Sequence, residues 1–117
     1  MSRAEGQWGE AMAADYLRAH GYDILAHGYS CRFGEIDIIA RKDGVVCFVE
    51  VKMRTNLAMG LPREYVTPGK QKKLKKTALY YISANGLDCP CRFDVAEIYA
   101  EGRLENARIE YLEDAFQ

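Results

Sequence analysis

Two strand-like runs, Glu35 to Arg41 and Val45 to Lys52, are separated by little more than Asp43-Gly44. That dipeptide is a strong signal for a two-residue hairpin turn, and a turn of that length fixes the register of everything it joins. With Lys42 opposite Val45, antiparallel pairing sets Asp37 opposite Glu50 and Glu35 opposite Lys52. Side chains alternate along a strand, so these two pairs fall on one sheet face. The other face reads Ile36 against Val51, Ile38 against Val49 and Ala40 against Cys47, and is expected to be core. Ile39 and Phe48 make the charged face apolar near the turn as well. The charges therefore gather at the open end of the hairpin.

The remaining chain supplies what must cover such a hairpin. Trp8, Met12 and Tyr16, widened by Ala13 and Leu17, predict a helix over 5–20 that stops at Gly21. Tyr22 to Cys31 reads as a strand with Gly28 as a weak point. Arg54 to Val66, with Gly60 and Pro62, reads as a loop. Thr67-Pro68 is an N-cap followed by proline at the first helical position, opening a helix that runs to about Asn85-Gly86. Arg92 to Tyr99 alternates again, and Ile109 to Leu112 is a last short strand candidate. The order helix, three strands, helix, one or two strands predicts an α/β sandwich. At 117 residues it is expected to be one domain spanning 1–117.

Composition narrows the class. A net charge of -1 excludes a strongly basic, histone-like protein. No apolar run reaches the roughly 20 residues a membrane span needs, and Met1 to Gly6 lacks the apolar stretch of a signal peptide, so the expected location is cytoplasmic with no membrane partner. The four cysteines, at 31, 47, 89 and 91, read as free thiols. Cys89-Pro90-Cys91 is CxC rather than CxxC, with no second close pair to complete a zinc set.

Two carboxylates facing each other on a sheet repel and destabilise it unless a cation intervenes. Lys52 offers one, and a divalent ion a better one. Mg²⁺ takes hard oxygen ligands and is usually held by one or two carboxylates plus substrate phosphate. A bound metal can polarise a phosphoryl oxygen and lower the pKa of an attacking water. A lysine two residues after Glu50 points to the same face, where it can orient that water or neutralise developing charge. Asp37, Glu50 and Lys52 thus form a phosphodiester-cleaving constellation. The bland alternative is a Glu35–Lys52 surface ion pair beside two solvated acids.

Gly9-Glu10, Gly34-Glu35-Ile36-Asp37-Ile38-Ile39-Ala40, Phe48-Val49-Glu50-Val51-Lys52-Met53-Arg54, Val66-Thr67 with Lys70, Arg92-Phe93-Asp94-Val95 and the terminal Ala115-Phe116 resemble the YraN family of small bacterial proteins. The resemblance covers nearly the whole chain. That family in turn resembles the PD-(D/E)xK nucleases, with archaeal Holliday-junction resolvases among its closer relatives. The resemblance implies a restriction-endonuclease-like core, a mixed central sheet flanked by helices. It also implies a nuclease site dependent on Mg²⁺ (or Mn²⁺) and acting on DNA, including branched or flapped forms. Asp37 and Glu50 would hold the metal with the Val51 carbonyl, Lys52 would be the motif lysine, and Glu10 would take the helix-borne acid position of the resolvases. Ile36 stands where the motif often has proline. Resolvase-like relatives work as dimers, so a homodimer is implied by analogy.

Glu10 shares a helical face with Ala13, Ala14 and Leu17, small neighbours that let the helix approach a sheet closely and turn the acid inward. Otherwise it is an early-helix acid favoured by the macrodipole. Lys70 to Lys76 holds five lysines in seven residues. Leu74, Ala78, Tyr81 and Ile82 form the buried stripe, from which Lys72 and Lys76 point away. Lys70 and Gln71 sit at the helix N-terminus, where backbone N–H groups favour phosphate. From Glu97 onward there are six acids and two arginines, so the near-neutral total hides a basic face and an acidic end. The run reads as a phosphate-backbone contact rather than only a solvated face, with Arg54 and Arg63 adding to it. Tyr80, Tyr81 and Trp8 read as core or semi-exposed packing rather than base-stacking platforms, and His20 and His27 as polar surface residues. The alternatives to an endonuclease are a non-catalytic nucleic-acid-binding module on the same fold and a protein-interaction scaffold.

Overall fold

Asp43 and Gly44 adopt φ of 52° and 76°, the paired positive values of the tight hairpin turn whose twist matches the flanking strands. The turn joins β2 (Gly34–Lys42) to β3 (Val45–Arg54). From Lys42 opposite Val45 to Ile38 opposite Val49, the ladder runs in the register the turn dictates. The computed structural model describes residues 3–54, 66–100 and 106–117, with side chains from Gly6 onward. The expected loop over 54–66, and Arg63 within it, fall largely outside the described residues.

Helix α1 (Arg3–Ala19) precedes β1 (Asp23–Cys31), which pairs antiparallel with β2. Helix α2 (Pro68–Ala84) follows β3 and leads to β4 (Cys91–Tyr99), which lies parallel to β3. Last comes β5 (Arg108–Phe116), antiparallel to β4. The sheet order is β1-β2-β3-β4-β5. Ala13, Ala14 and Leu17 of α1 pack on one face against Ile38, Ala40, Cys47, Val49, Val51 and Met53. Leu74 and Ala78 of α2 pack on the other against Ile39, Val46, Phe48 and Val95. This is a mixed α/β sandwich of the restriction-endonuclease-like type. Covered on both sides, β3 and β4 are buried almost throughout, as central strands of a sheet between helices must be. No described helix is long and apolar enough to cross a membrane.

The caps explain where α2 begins and ends. Thr67 Oγ1 accepts the Lys70 N–H at 3.3 Å, and Pro68 occupies the first turn. Gly86, with φ of 59°, takes the left-handed conformation that ends the helix. Leu74 and Ala78 are buried as expected. Thr77, off the expected stripe, is also buried, its hydroxyl donating to the Lys73 carbonyl at 2.9 Å. Strand β5 extends well beyond the expected Ile109 to Leu112. Its length is masked in sequence by exposed Glu110, Glu113 and Asp114 on an edge strand.

One expectation fails at the open end of the hairpin. Ile36 does not share the α1 face with Ile38; it packs on the α2 face with Ile39. In β1, Ala26 and Tyr29 likewise share the α2 face. His27 pairs with Ile38 and Tyr29 with Ile36, which leaves Gly28 and Asp37 facing each other between them. Gly28 has φ of 59°. A glycine there steps the strand out of strict alternation at little steric cost, and its neighbour steps with it. The step falls where the β2–β3 ladder stops, at Asp37.

Candidate active site

Where that ladder stops, the Asp37 carboxylate takes over part of its hydrogen bonding. Asp37 Oδ2 accepts the Val51 N–H at 2.8 Å. The two strand ends, the N-terminal halves of both helices and the Gly34 corner line a cavity of about 370 Å³. Gly9 faces the sheet, where a Cβ would stand at ordinary contact distance, 3.6 Å from Ile98 Cδ1 and 3.7 Å from Met53. The next residue, Glu10, reaches the cavity. Glu10, Asp37, Glu50, Val51, Lys52 and Lys70 all line it.

The charges in it are crowded. Glu50 is 6% exposed, and its Oε1 lies 2.9 Å from Lys70 Nζ. Burial, then the Asp37 charge, push Glu50 up to about 7 despite the pull of Lys70. Burial also pushes Glu10 to about 7, joined by the charge of Asp37, a hydrogen bond to Asp37, and the charge of Glu35. Lys52 is lowered, first by burial and then by the neighbouring Lys70 ammonium, against the pull of Glu50 and Asp37. Burial works to lower Lys70 too, but its contacts with Glu50 outweigh it and hold this amine above its ordinary value. Of the two amines, Lys70 keeps its proton more firmly.

A pH dependence of stability follows. The folded state binds the Glu10 and Glu50 protons more tightly than the unfolded chain, whose carboxyls titrate near 4.5. The stabilisation is complete below about 4.5 and is lost as pH rises through about 7. Urea midpoints of metal-free protein should therefore fall between pH 5 and 8. The fall should be smaller in a Glu10→Gln, Glu50→Gln double variant; parallel curves for the two proteins would refute the shifts.

Other expected positions lie elsewhere. Glu35 does not face Lys52. It pairs with Ser30 of β1, because the step at Asp37 parts β2 from β3, and its charge acts on Glu10 instead. The cation on Glu50 is Lys70 rather than Lys52, a contact no local spacing encodes because the packing of α2 on the sheet sets it. Lys73 also lines the cavity. Lys72 and Lys76 are exposed on α2. Gln71 Nε2 donates to the Val66 carbonyl at 3.1 Å, tying down the helix start. Arg54 is half-buried at the end of β3, level with Tyr99.

A second buried carboxylate, Asp94, stands outside the cavity. Both its oxygens accept from Arg92 Nε, at 3.0 and 3.1 Å, and it also accepts from the Tyr111 hydroxyl and the Asp114 N–H. Arg92 continues to the Tyr22 hydroxyl at 2.6 Å. Among the described residues its partners lie within the fold, so it ties β4 and β5 together and, through Arg92, to Tyr22 between α1 and β1. Alternation puts Asp94 on the face of Ala96 and Ile98, but only the fold supplies its partners. Among the described residues, no three His, Cys, Asp or Glu side chains converge tightly enough to cage an ion alone. All four cysteines are free, with Cys47 buried.

Comparison with known proteins places this arrangement in a family. A UPF0102 protein of Lachnoclostridium phytofermentans is 50% identical over 101 residues, covering 85% of this chain and 86% of that one. A UPF0102 protein of Caldicellulosiruptor bescii is 45% identical over 113 residues, covering 95% of each chain. One from Syntrophus aciditrophicus is 47% identical over 113 residues, covering 96% of this chain and 87% of that one. The model described as "Uncharacterised protein family UPF0102" matches residues 9–98, from α1 as far as β4. A family match over most of the chain, with relatives this similar along most of their length, shows that the protein belongs to the UPF0102 family.

Proposed function

We propose that the protein is a Mg²⁺-dependent (or Mn²⁺-dependent) DNA endonuclease whose active site is this cavity. The observation that carries the reading is the convergence of Glu10, Asp37, Glu50 and Lys52 from two strands and a helix. The donor set suits a hard divalent ion. Asp37 and Glu50 provide carboxylate oxygens and Val51 a carbonyl, few enough to leave room for water and phosphate. Burial, and after it the charge of Asp37, raise Glu10 and Glu50, and a bound cation would offset both effects. Bound between Asp37 and Glu50, the ion would supply the charge that polarises a phosphoryl oxygen.

The chain's own groups account for the rest of the chemistry. Val51 N–H holds the Asp37 carboxylate in one orientation. Lys52, its proton loosened by burial and by Lys70, can orient an attacking water or neutralise developing charge. Glu10, titrating near 7, can exchange a proton with solvent at neutral pH. Lys70 and Lys73 add positive charge on the α2 side, where a phosphodiester oxygen gains negative charge in the transition state. Single-turnover incubation with duplex, branched and flapped DNA in Mg²⁺ or Mn²⁺ tests the reading. Metal-dependent nicks in wild type that disappear in Asp37→Asn support it. DNA binding without any cleavage would favour a non-catalytic binding module.

The exposed lysines of α2 give a separate prediction. Each phosphate contact made by Lys72 or Lys76 contributes roughly 0.9 to the slope of log affinity against log salt on duplex DNA. Changing both to Gln should flatten that slope by nearly two units on every sequence, with base preference and metal binding unaltered. A wild-type slope in the double variant would make this lysine run only a solvated face.

A further inference from the structure

The tip of the β1–β2 hairpin is Arg32-Phe33, between the paired residues Cys31 and Gly34. It carries an aromatic ring into solvent beside α2. Phe33 is 37% exposed, and Tyr80, expected to be packing rather than a base-stacking platform, is 44% exposed. Their rings meet edge-to-face, with centroids 6.1 Å apart, and the Arg32 guanidinium sits 4.8 Å over the Phe33 ring. This is no loose tip. Gly34 has φ of 151°, and a Cβ there would come within 3.0 Å of Thr77 Oγ1, so only glycine brings the hairpin down onto the helix. The same Gly34 lines the cavity. On α2, Lys73, Lys76 and Tyr80 follow one another at i, i+3 and i+7, a single stripe that starts at the cavity wall and ends at the exposed rings.

We propose that Phe33, Tyr80 and Arg32 form a stacking platform for unpaired nucleobases, so that the adjoining site acts on DNA with a single-stranded stretch next to the cut. The proposal rests on the endonuclease reading for what happens in the cavity, but the platform itself is a binding site. Exposed rings are costly to leave in water, and among the described residues these two keep more than a third of their surface open beyond their contacts with each other and with Arg32. A planar base matches them, and stacking is indifferent to sequence because every base has a π-face. The charge matches the same occupant. Arg32 adds a planar cation to the ring, while Lys73 and Lys76 lie where the phosphates of a strand leading to the cavity would run. Seven residues of helix separate Lys73 from Tyr80, about 10 Å. That is the length of roughly three stacked nucleotides at about 3.4 Å each. The base held on the platform is therefore a few nucleotides from the phosphate in the cavity. A fully paired duplex cannot offer its bases to these rings without opening.

The test measures fluorescence anisotropy with three labelled DNAs, a single strand, a flapped duplex and a blunt duplex, in the absence of divalent ions so that nothing is cut. In the Phe33→Ala, Tyr80→Ala double variant, single-strand and flap affinity should fall roughly tenfold to a hundredfold. Blunt-duplex affinity should stay at the wild-type value. Phe33→Tyr and Tyr80→Phe should retain full affinity. Phe33→Leu, Tyr80→Leu, which keeps apolar cover over the helix, should lose affinity as the alanines do, separating stacking from folding. Equal losses on all three DNAs, wild-type flap binding by the alanine variant, or loss of a dimer in place of strand binding would each overturn the platform. The endonuclease reading fails separately. If wild type cuts none of the three DNAs in Mg²⁺ while the double variant still loses flap affinity, the platform stands and the catalytic assignment falls.

Discussion

Lys52→Met should cut DNA about a thousandfold more slowly than wild type, within the range that a positioned acid–base group contributes, while binding DNA less than about tenfold more weakly. The asymmetry follows from where Lys52 sits. Its stem is half-buried in the cavity wall between Glu50 and Met53, and methionine fills most of that space. What is lost is an amine whose proton is loosened by burial and by Lys70. Lys70 remains on Glu50, so the positive charge of the cavity is reduced without being removed. DNA held by exposed lysines on α2 would scarcely sense the change. Rapid-quench single-turnover rates separate cleavage from binding, with anisotropy reporting affinity on the same DNA. Unchanged cleavage would remove Lys52 from the mechanism.

Asp37→Asn should abolish stabilisation by divalent ions. At a free-ion concentration one hundred times its dissociation constant, linkage adds about 2.7 kcal/mol to the wild-type protein. For a chain of this size that is a Tm rise on the order of 10 °C. Asparagine can still accept the Val51 N–H through its Oδ1, so the backbone join at the end of the ladder survives. The negative charge that raises Glu10 and Glu50 is gone, and the metal-free variant should melt at or above the wild-type temperature. Asp37→Leu is the contrasting case. It leaves a buried N–H without an acceptor and should cost about 1–3 kcal/mol with or without metal. Differential scanning fluorimetry with and without Mn²⁺ reads both. A clear drop in metal-free Asp37→Asn would mean that the charge itself holds the fold together.

Much of this could be read from local residues. Asp43-Gly44 dictated the turn and, through it, five matched pairs down to Ile38 and Val49. Thr67-Pro68 set the start of α2, and the small residues Ala13 and Ala14 indicated the face that α1 buries against the sheet. These features depend on neighbours within a turn or along one ladder, where periodicity and capping chemistry act directly.

The rest was decided by contacts between elements far apart in the chain. Gly28 could be seen as a weak point in β1. Its effect on β2, turning Ile36 to the α2 face and ending the ladder at Asp37, exists only once the two strands are paired. The same holds for Lys70. As a sequence it is one of five lysines at a helix start, and only the packing of α2 against the sheet brings its ammonium to within 2.9 Å of Glu50. The exposed Phe33–Tyr80 pair likewise joins a hairpin tip to a helix more than forty residues away. Residue types and short-range spacing thus singled out Glu10, Asp37, Glu50 and Lys52, all of which line the cavity. Tertiary structure alone decided their partners and charge states, because burial and Coulombic coupling depend on distance in space rather than along the chain.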